Sequence, residues 1–322
     1  MKLFRQLSAI FLLAACFAAF DAAVWNAVTK RFINYASEDM QAKSIELDEY
    51  LPFDENSKIA VTESSLTLSG DLPVVDGAAA LYPVFSAFVN AVYPKESVSF
   101  DGKDFASDSK LRFSNTRGAY KAIADGTADI VFCAQPSAEQ LAYAEKQGVE
   151  LELIPIGCEA FVFIMNKDNP VDSLTVEQVR GLYAGDFRSW SEVGGDNYPV
   201  DTVTRNAGSG SQTAMLSFMD GREMKKSPFG FLGRSIGYSF RYYVSDLAEN
   251  GKIKMLSLNG VCPDKENVSN GSYPIVSNFY AVCRKDDTNP NVRIFIDWIL
   301  SEEGQDIVDK SGYVRLRGAP AG

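Results

Sequence analysis

No histidine occurs among the 322 residues of this chain. That absence removes every Ser-His-Asp and Cys-His triad, and every zinc site built on imidazole. Cysteine is scarce, five in all, and no two form a C-x-x-C pair, which excludes a metal ribbon and a thioredoxin-type redox motif. Internal repeats and low-complexity tracts are missing too. Positive charge is in deficit: 31 Lys+Arg stand against 42 Asp+Glu, a net charge of −11. Nucleic acids select basic faces, so they are not expected as partners. Taken alone, the same balance disfavours small anions. With no metal-ligating cluster and no nucleophile–base pair, the chain reads as a non-enzyme with no catalytic residue, no metal and no cofactor.

What is present is ordinary for a globular protein: 46% hydrophobic and 23% charged residues. The length suits about two domains with a sizeable core. At the N-terminus, Lys2 and Arg5 precede an apolar run from Ser8 to Trp25 whose only charge is Asp21. A basic start followed by an apolar stretch is the pattern of an export signal. Within it, Leu13-Ala14-Ala15-Cys16 resembles a lipobox, which makes Cys16 a candidate for lipidation. The run continues apolar to Trp25 and approaches the ~20 residues that span a bilayer, so an uncleaved anchor, ordinary cleavage and a buried helix are alternatives. All but the last place the body outside the cytoplasmic membrane. Residues 26–71 lack a sustained period and are expected to be a spacer, with a short ordered stretch near Ser65–Leu72.

The body reads as strand and helix in alternation. Strands are expected at Leu72–Val75, Asp129–Cys133, Leu151–Ile156, Ala160–Met165, Val200–Thr204 and Tyr273–Val282. Helices are expected at Ala79–Val92, Ser114–Ala124, Ser137–Gln147, Val176–Tyr183 with Ser173 as cap, Gln212–Met219, Asn291–Leu300 and Glu303–Lys310. This is βαβα grammar, and it implies α/β lobes, each a mainly parallel sheet flanked by helices. Cys133, Cys158 and Cys283 fall in strand-like runs, as buried small hydrophobes do.

The most informative string runs from Arg205 to Thr213, between a strand and a helix. Its two glycines let the backbone curl so that successive N–H groups point into one concavity. The following helix adds unpaired N–H groups and the positive end of its dipole. Ser209, Ser211 and Thr213 offer hydroxyl groups, and Arg205 offers a planar fork for two oxygens of one anion. Together these are the parts of an oxyanion cradle. The same residue types also make an ordinary capped turn. No Walker A sequence is present, so nucleotide hydrolysis loses its best signal. Asp76 to Pro83 and Ser114 to Tyr120 repeat the design, with a glycine or hydroxyl residues at a helix start. Three such turns could meet at the carboxyl ends of strands, where open α/β sheets bind ligands.

Six strings in order carry a resemblance: DGAAALYPVFSAF (76–88), GAYKAIADGTADIVF (118–132), GLYAGDFRSWSEVGG (181–195), TRNAGSGSQT (204–213), IGYSFRYYV (236–244) and ILSEEGQDIVDKSGYVRL (299–316). Through them the chain resembles the phosphate-binding proteins of bacterial ABC importers, over roughly Leu72 to Leu316. The resemblance implies a two-lobed periplasmic-binding-protein fold with a hinge: lobe 1 from residues 72–157 plus 275–322, and lobe 2 from 158–274. It implies a membrane-tethered monomer outside the cell that captures phosphate and delivers it to an ABC permease; a receptor of the same fold for another oxyanion or small anion, and a non-transport sensor or adhesion module, are the alternatives. Arg205 would grip the anion, with Ser209, Gly210 and Ser211 donating around it. Thr116 would donate from the first lobe, where Ala79 and Ala80 form a further cradle.

Three departures stand out. Ala79 lacks the usual hydroxyl there. Ala134 and Gln135 replace a frequent Asp after the strand at 129–133, and Ala207 replaces an acidic residue in the arginine loop. A carboxylate acceptor favours protonated oxyanions over sulfate; Gln135 could accept in its place, and Arg117 could add positive charge.

Overall fold

The computed structural model describes residues 45–225, 233–249 and 252–316. The segment read as an export signal, with Cys16, lies outside these residues, as does the first part of the stretch read as a spacer.

The main sheet holds seven strands. In chain order the strands are β1 (Val75–Gly77), β2 (Ile130–Ala134), β3 (Leu151–Asn166), β4 (Ser173–Leu174), β5 (Val200–Thr202), β6 (Arg234–Phe240), β7 (Ile253–Met255), β8 (Ser257–Leu258) and β9 (Val276–Arg284). The sheet runs β1-β2-β9-β3-β6-β5, with β7 also on β3, while β4 and β8 form a separate pair. The helices are α1 (Tyr82–Val92), α2 (Asn115–Ala124), α3 (Ala138–Lys146), α4 (Val176–Ala184), α5 (Gly210–Met219), α6 (Arg241–Glu249), α7 (Lys265–Asn270), α8 (Pro290–Leu300) and α9 (Glu302–Lys310).

The α/β class and the two lobes agree with expectation, but the sheet is mixed rather than mainly parallel. β1 with β2, and β5 with β6, are parallel. The joins of β9 to β2 and to β3, and of β3 to β6 and to β7, are antiparallel. The cause is the pair of long strands that pass between the lobes in opposite directions, with the shorter strands laid alongside them.

β3 also corrects the expectation of two strands separated at Gly157. It is continuous for 16 residues, with a register shift between Pro155 and Gly157. A bulge is where a strand tolerates a proline that cannot donate to the ladder. Gly157 answers to packing: a Cβ there would sit 2.3 Å from Cζ of Phe279. Ser173 belongs to β4, and the cap of α4 is Thr175, whose hydroxyl accepts from Gln178 N–H at 3.1 Å in a capping box.

Two cores flank this crossing. In the first, Ile130 and Phe132 of β2 face α1, α8 and α9, with Phe85 stacked on Phe132 at 5.5 Å. Alternate residues Val131 and Cys133 face α2 on the other side, as the two-residue period of a strand requires. The second core gathers Phe161 and Phe163 of β3 with Tyr183, Met215, Phe218 and Tyr238. Ile156 belongs to the first core and Ala160 to the second. Cys133 and Cys283 are buried, Cys158 is half-buried and Cys262 exposed.

From residue 45 onward, the expected spacer is instead packed onto the first core. Ile59 and Leu68 are buried in it. Phe53 N–H donates to Asn90 at 2.7 Å, and Thr62 Oγ1 donates to Asp306 at 2.7 Å. Its buried anchors are isolated rather than periodic, so no pattern marks them.

Candidate functional site

The three helix-start turns line one cleft of about 810 Å³. Each is fixed by different chemistry.

The first follows β1. Gly77 has no room for a side chain, since a Cβ would lie 2.6 Å from Phe85 and 2.7 Å from the Phe132 carbonyl oxygen. The chain then makes a 3-10 turn, Ala79–Leu81, before α1 begins with Pro83 in its first turn. Asp76 is buried, and its carboxylate accepts from Gly77 N–H (2.7 Å), Ser114 N–H (2.8 Å) and the Ser114 hydroxyl (2.5 Å). Burial pushes the Asp76 carboxyl up, against the pull of these donors and of Arg112. One buried carboxylate therefore ties the first turn to the second.

The second turn opens α2. The Ser114 hydroxyl donates to Asp76 and makes no cap bond to the helix. Asn115 adopts φ +62°, a left-handed conformation that asparagine tolerates better than most residues. A Cβ at Gly118 would lie 2.6 Å from Ser114, so only glycine admits this close approach. Thr116 faces the cleft half-buried. Arg117 lines it too, but its side chain is 78% exposed and lies 4.0 Å from Glu139.

The third turn lies between β5 and α5. Gly208 takes φ +76°. Ser209 caps α5, its hydroxyl oxygen accepting from Gln212 N–H at 3.2 Å, which leaves the O–H proton free to donate. Arg205 N–H donates to Gln212 Oε1 (3.0 Å) and to the Tyr238 hydroxyl (3.1 Å), and Tyr238 donates to the same Gln212 oxygen at 2.5 Å. Burial raises the Tyr238 and Tyr243 hydroxyls, and the Arg205 charge draws both back. Thr213, offered by the sequence as another donor, spends its hydroxyl on the Ser209 carbonyl.

The turns approach one another across the cleft. A Cβ on Gly210 would be 3.3 Å from Ala134 Cβ and 3.8 Å from Thr116 Oγ1. Gln140, at the start of α3, donates to the Gly208 carbonyl at 3.2 Å. Ala79, Ala80, Thr116, Arg117, Arg205, Ser209, Gly210 and Ser211 thus share one cleft, and Ala134 and Ala207 line it as well. Gln135 does not join them: β2 ends at Ala134, and the Gln135 side chain turns to solvent. Two arginines, several hydroxyl groups and the starts of helices suit a small oxyanion.

Sequence reading missed Glu159, Ser239, Tyr242, Tyr243 and Asn278 on the walls. Glu159 had a readable signal, a lone acid inside the apolar strand Gly157–Met165. Among the described residues, no group of His, Cys, Asp and Glu could hold a metal ion, and no helix is long and apolar enough to cross a membrane.

The family described as "PBP superfamily domain" matches residues 67–303. The chain is similar to the phosphate-binding protein PstS of Borreliella burgdorferi, 25% identical over 179 residues, which cover 49% of this chain and 64% of the relative. It is similar to the PstS of Bacillus subtilis, 26% identical over 188 residues, which cover 53% and 60%. Both matches span less than two thirds of the relative's length. Among solved structures, a Clostridium perfringens protein with bound phosphate aligns with a TM-score of 0.57 at 24% identity, over 76% of this chain and 98% of the other, a likeness of fold.

Proposed function

Because the chain belongs to the PBP superfamily, we propose that it is a non-enzymatic extracytoplasmic receptor that captures phosphate between two lobes and delivers it to an ABC permease. The observation that carries this reading is the convergence of Arg205, Ser209–Ser211 and Thr116 on one cleft. The names of the relatives support phosphate as the ligand.

In this reading lobe 1 is residues 72–157 plus 275–322, extended by the packed stretch from 45, and lobe 2 is residues 158–274. The lobes close about the crossing at 156–158 and the return at 273–275 by a hinge motion. The segment 1–25 tethers the body, with Cys16 as the lipidation candidate, and the protein acts as a monomer. Arg205 supplies the charge, while the N–H groups at the start of α5 and the hydroxyl groups of Ser209, Ser211 and Thr116 complete the shell. Binding needs no net positive charge, because donors at contact distance outweigh a diffuse surface potential.

The test is the melting temperature of the purified full-length chain with and without inorganic phosphate. A ligand that binds only the folded state adds about 2.7 kcal/mol at a hundredfold excess over Kd. Phosphate is expected to raise the melting temperature. No change at millimolar phosphate would sink the reading.

A further inference from the structure

An acidic side chain stands on the wall of this cleft. Glu159, in β3 just past the crossing, is 3% exposed, and it is the one carboxylate among the described residues that line the cleft. Its Oε1 accepts from Arg241 Nε at 2.9 Å and from Ala160 N–H at 2.9 Å. Its Oε2 accepts from Tyr242 N–H at 3.3 Å, with Arg241 Nη2 at 3.5 Å. Arg241 does not line the cleft. It pairs with Glu159 from the start of α6 and donates to the Gly312 carbonyl at 2.6 Å. Next to Gly312, Tyr313 stacks on Tyr242 at 4.5 Å and donates to the Ala80 carbonyl at 2.5 Å. The pair is therefore built into the crossing and linked to the first turn. Of this ion pair, the carboxylate residue lines the cleft and the arginine does not.

We propose that Glu159 and Arg241 are an affinity-setting pair. The Glu159 carboxylate opposes an anion in the cleft, Arg241 offsets most of that opposition, and the balance keeps binding weak enough for release. This rests on the anion-receptor reading above. The other charges facing the cleft are Arg117 and Arg205, so a bare carboxylate would cancel about half of the attracting charge. At an intermediate dielectric, one unit charge on the wall of such a cleft is worth roughly three- to tenfold in affinity.

The two single substitutions should act in opposite directions, which a purely structural pair would not do. Calorimetric titration of the full-length chain with inorganic phosphate at pH 7 reads this directly. Glu159→Gln, nearly the same shape, is expected to tighten binding about fivefold. Arg241→Gln is expected to weaken it about tenfold, and the double variant to return close to the unaltered chain. Two single variants that both weaken binding, with the double variant weakest, would show packing alone and overturn the proposal. So would affinities equal to that of the unaltered chain. If Arg241→Gln does not fold, Glu159→Gln decides by sign: tighter binding supports the proposal, and equal or weaker binding overturns it. An unaltered chain that does not bind phosphate would sink the receptor reading and this inference with it. An unaltered chain that binds, with variants that do not differ from it, would sink this inference alone.

Discussion

The two sides of the cleft are built on opposite principles. On the first lobe a buried carboxylate, Asp76, spends its charge inside the protein, fixing the turns at Gly77 and Ser114. What that lobe brings to the cleft is alanine at 79 and 80, polar neutral side chains such as Thr116, Asn115 and Asn278, and an exposed Arg117. On the second lobe the arginine loop is fixed by neutral groups, Gln212 and Tyr238 holding the Arg205 backbone, and the Arg205 residue lines the cleft. One set of turns is shaped by a charge it hides. The arginine loop is shaped by neutral groups, and the buried charge of that lobe, Glu159 with Arg241, stands apart from it at the crossing. Substitutions on the two sides should therefore fail in different assays.

The largest effect is expected from Arg205→Ala. Removing a charge-assisted, two-pronged contact costs about 3 kcal/mol, roughly a hundredfold in phosphate affinity. The ligand-free melting temperature should stay close to that of the unaltered chain, because Gln212 and Tyr238 grip the backbone of this residue. Loss of the ligand-free fold instead would erase the contrast between the lobes. Asp76→Ala is the converse. It leaves two N–H groups and a hydroxyl without their acceptor, for about 2–3 kcal/mol of stability. Urea unfolding of the ligand-free chain should show this in full. An unchanged midpoint would mean that the buried carboxylate is not what shapes the first lobe.

Gln212→Leu comes next. It removes the acceptor shared by Arg205 N–H and Tyr238, at about 1–2 kcal/mol of stability. It should also weaken phosphate binding several-fold, because the arginine loop loses its anchor. A variant with lowered stability and full affinity would show that Tyr238 alone positions the loop.

Much of this layout is readable from sequence because it rests on local chemistry. Glycine and hydroxyl residues at helix starts mark all three turns. The Thr175–Gln178 capping box is equally plain, although Ser173 draws attention first. What sequence conceals depends on distant partners. Gly157 looks like a strand end, and only the Phe279 ring shows why it is glycine. The parallel expectation for the sheet fails because strand order and direction are set by β3 and β9, more than a hundred residues apart in sequence. Gln135 seems a reasonable acceptor until the end of β2 turns it to solvent. Glu159 gains meaning only beside Arg241, a partner 82 positions away. The stretch from 45 to 71 shows no period, because single anchors such as Ile59 and Leu68 hold it.

The smallest effect is also the most specific to the comparison. If the first lobe contributes little because its turn lacks a donor, then Ala79→Ser should restore one. Ala79 is half-buried, lines the cleft and begins a 3-10 turn, where serine fits the backbone without strain. A hydroxyl there needs no repacking, so ligand-free stability should shift by less than about 0.5 kcal/mol. A neutral donor to an anion contributes about 1 kcal/mol net, hence an expected gain of about fivefold in phosphate affinity by calorimetry. The gain should disappear in the Arg205→Ala background if the arginine is what brings the anion within reach of the first turn. Should Ala79→Ser instead add the same factor with and without Arg205, the two lobes would be binding independently, and the cleft would not close around a single anion.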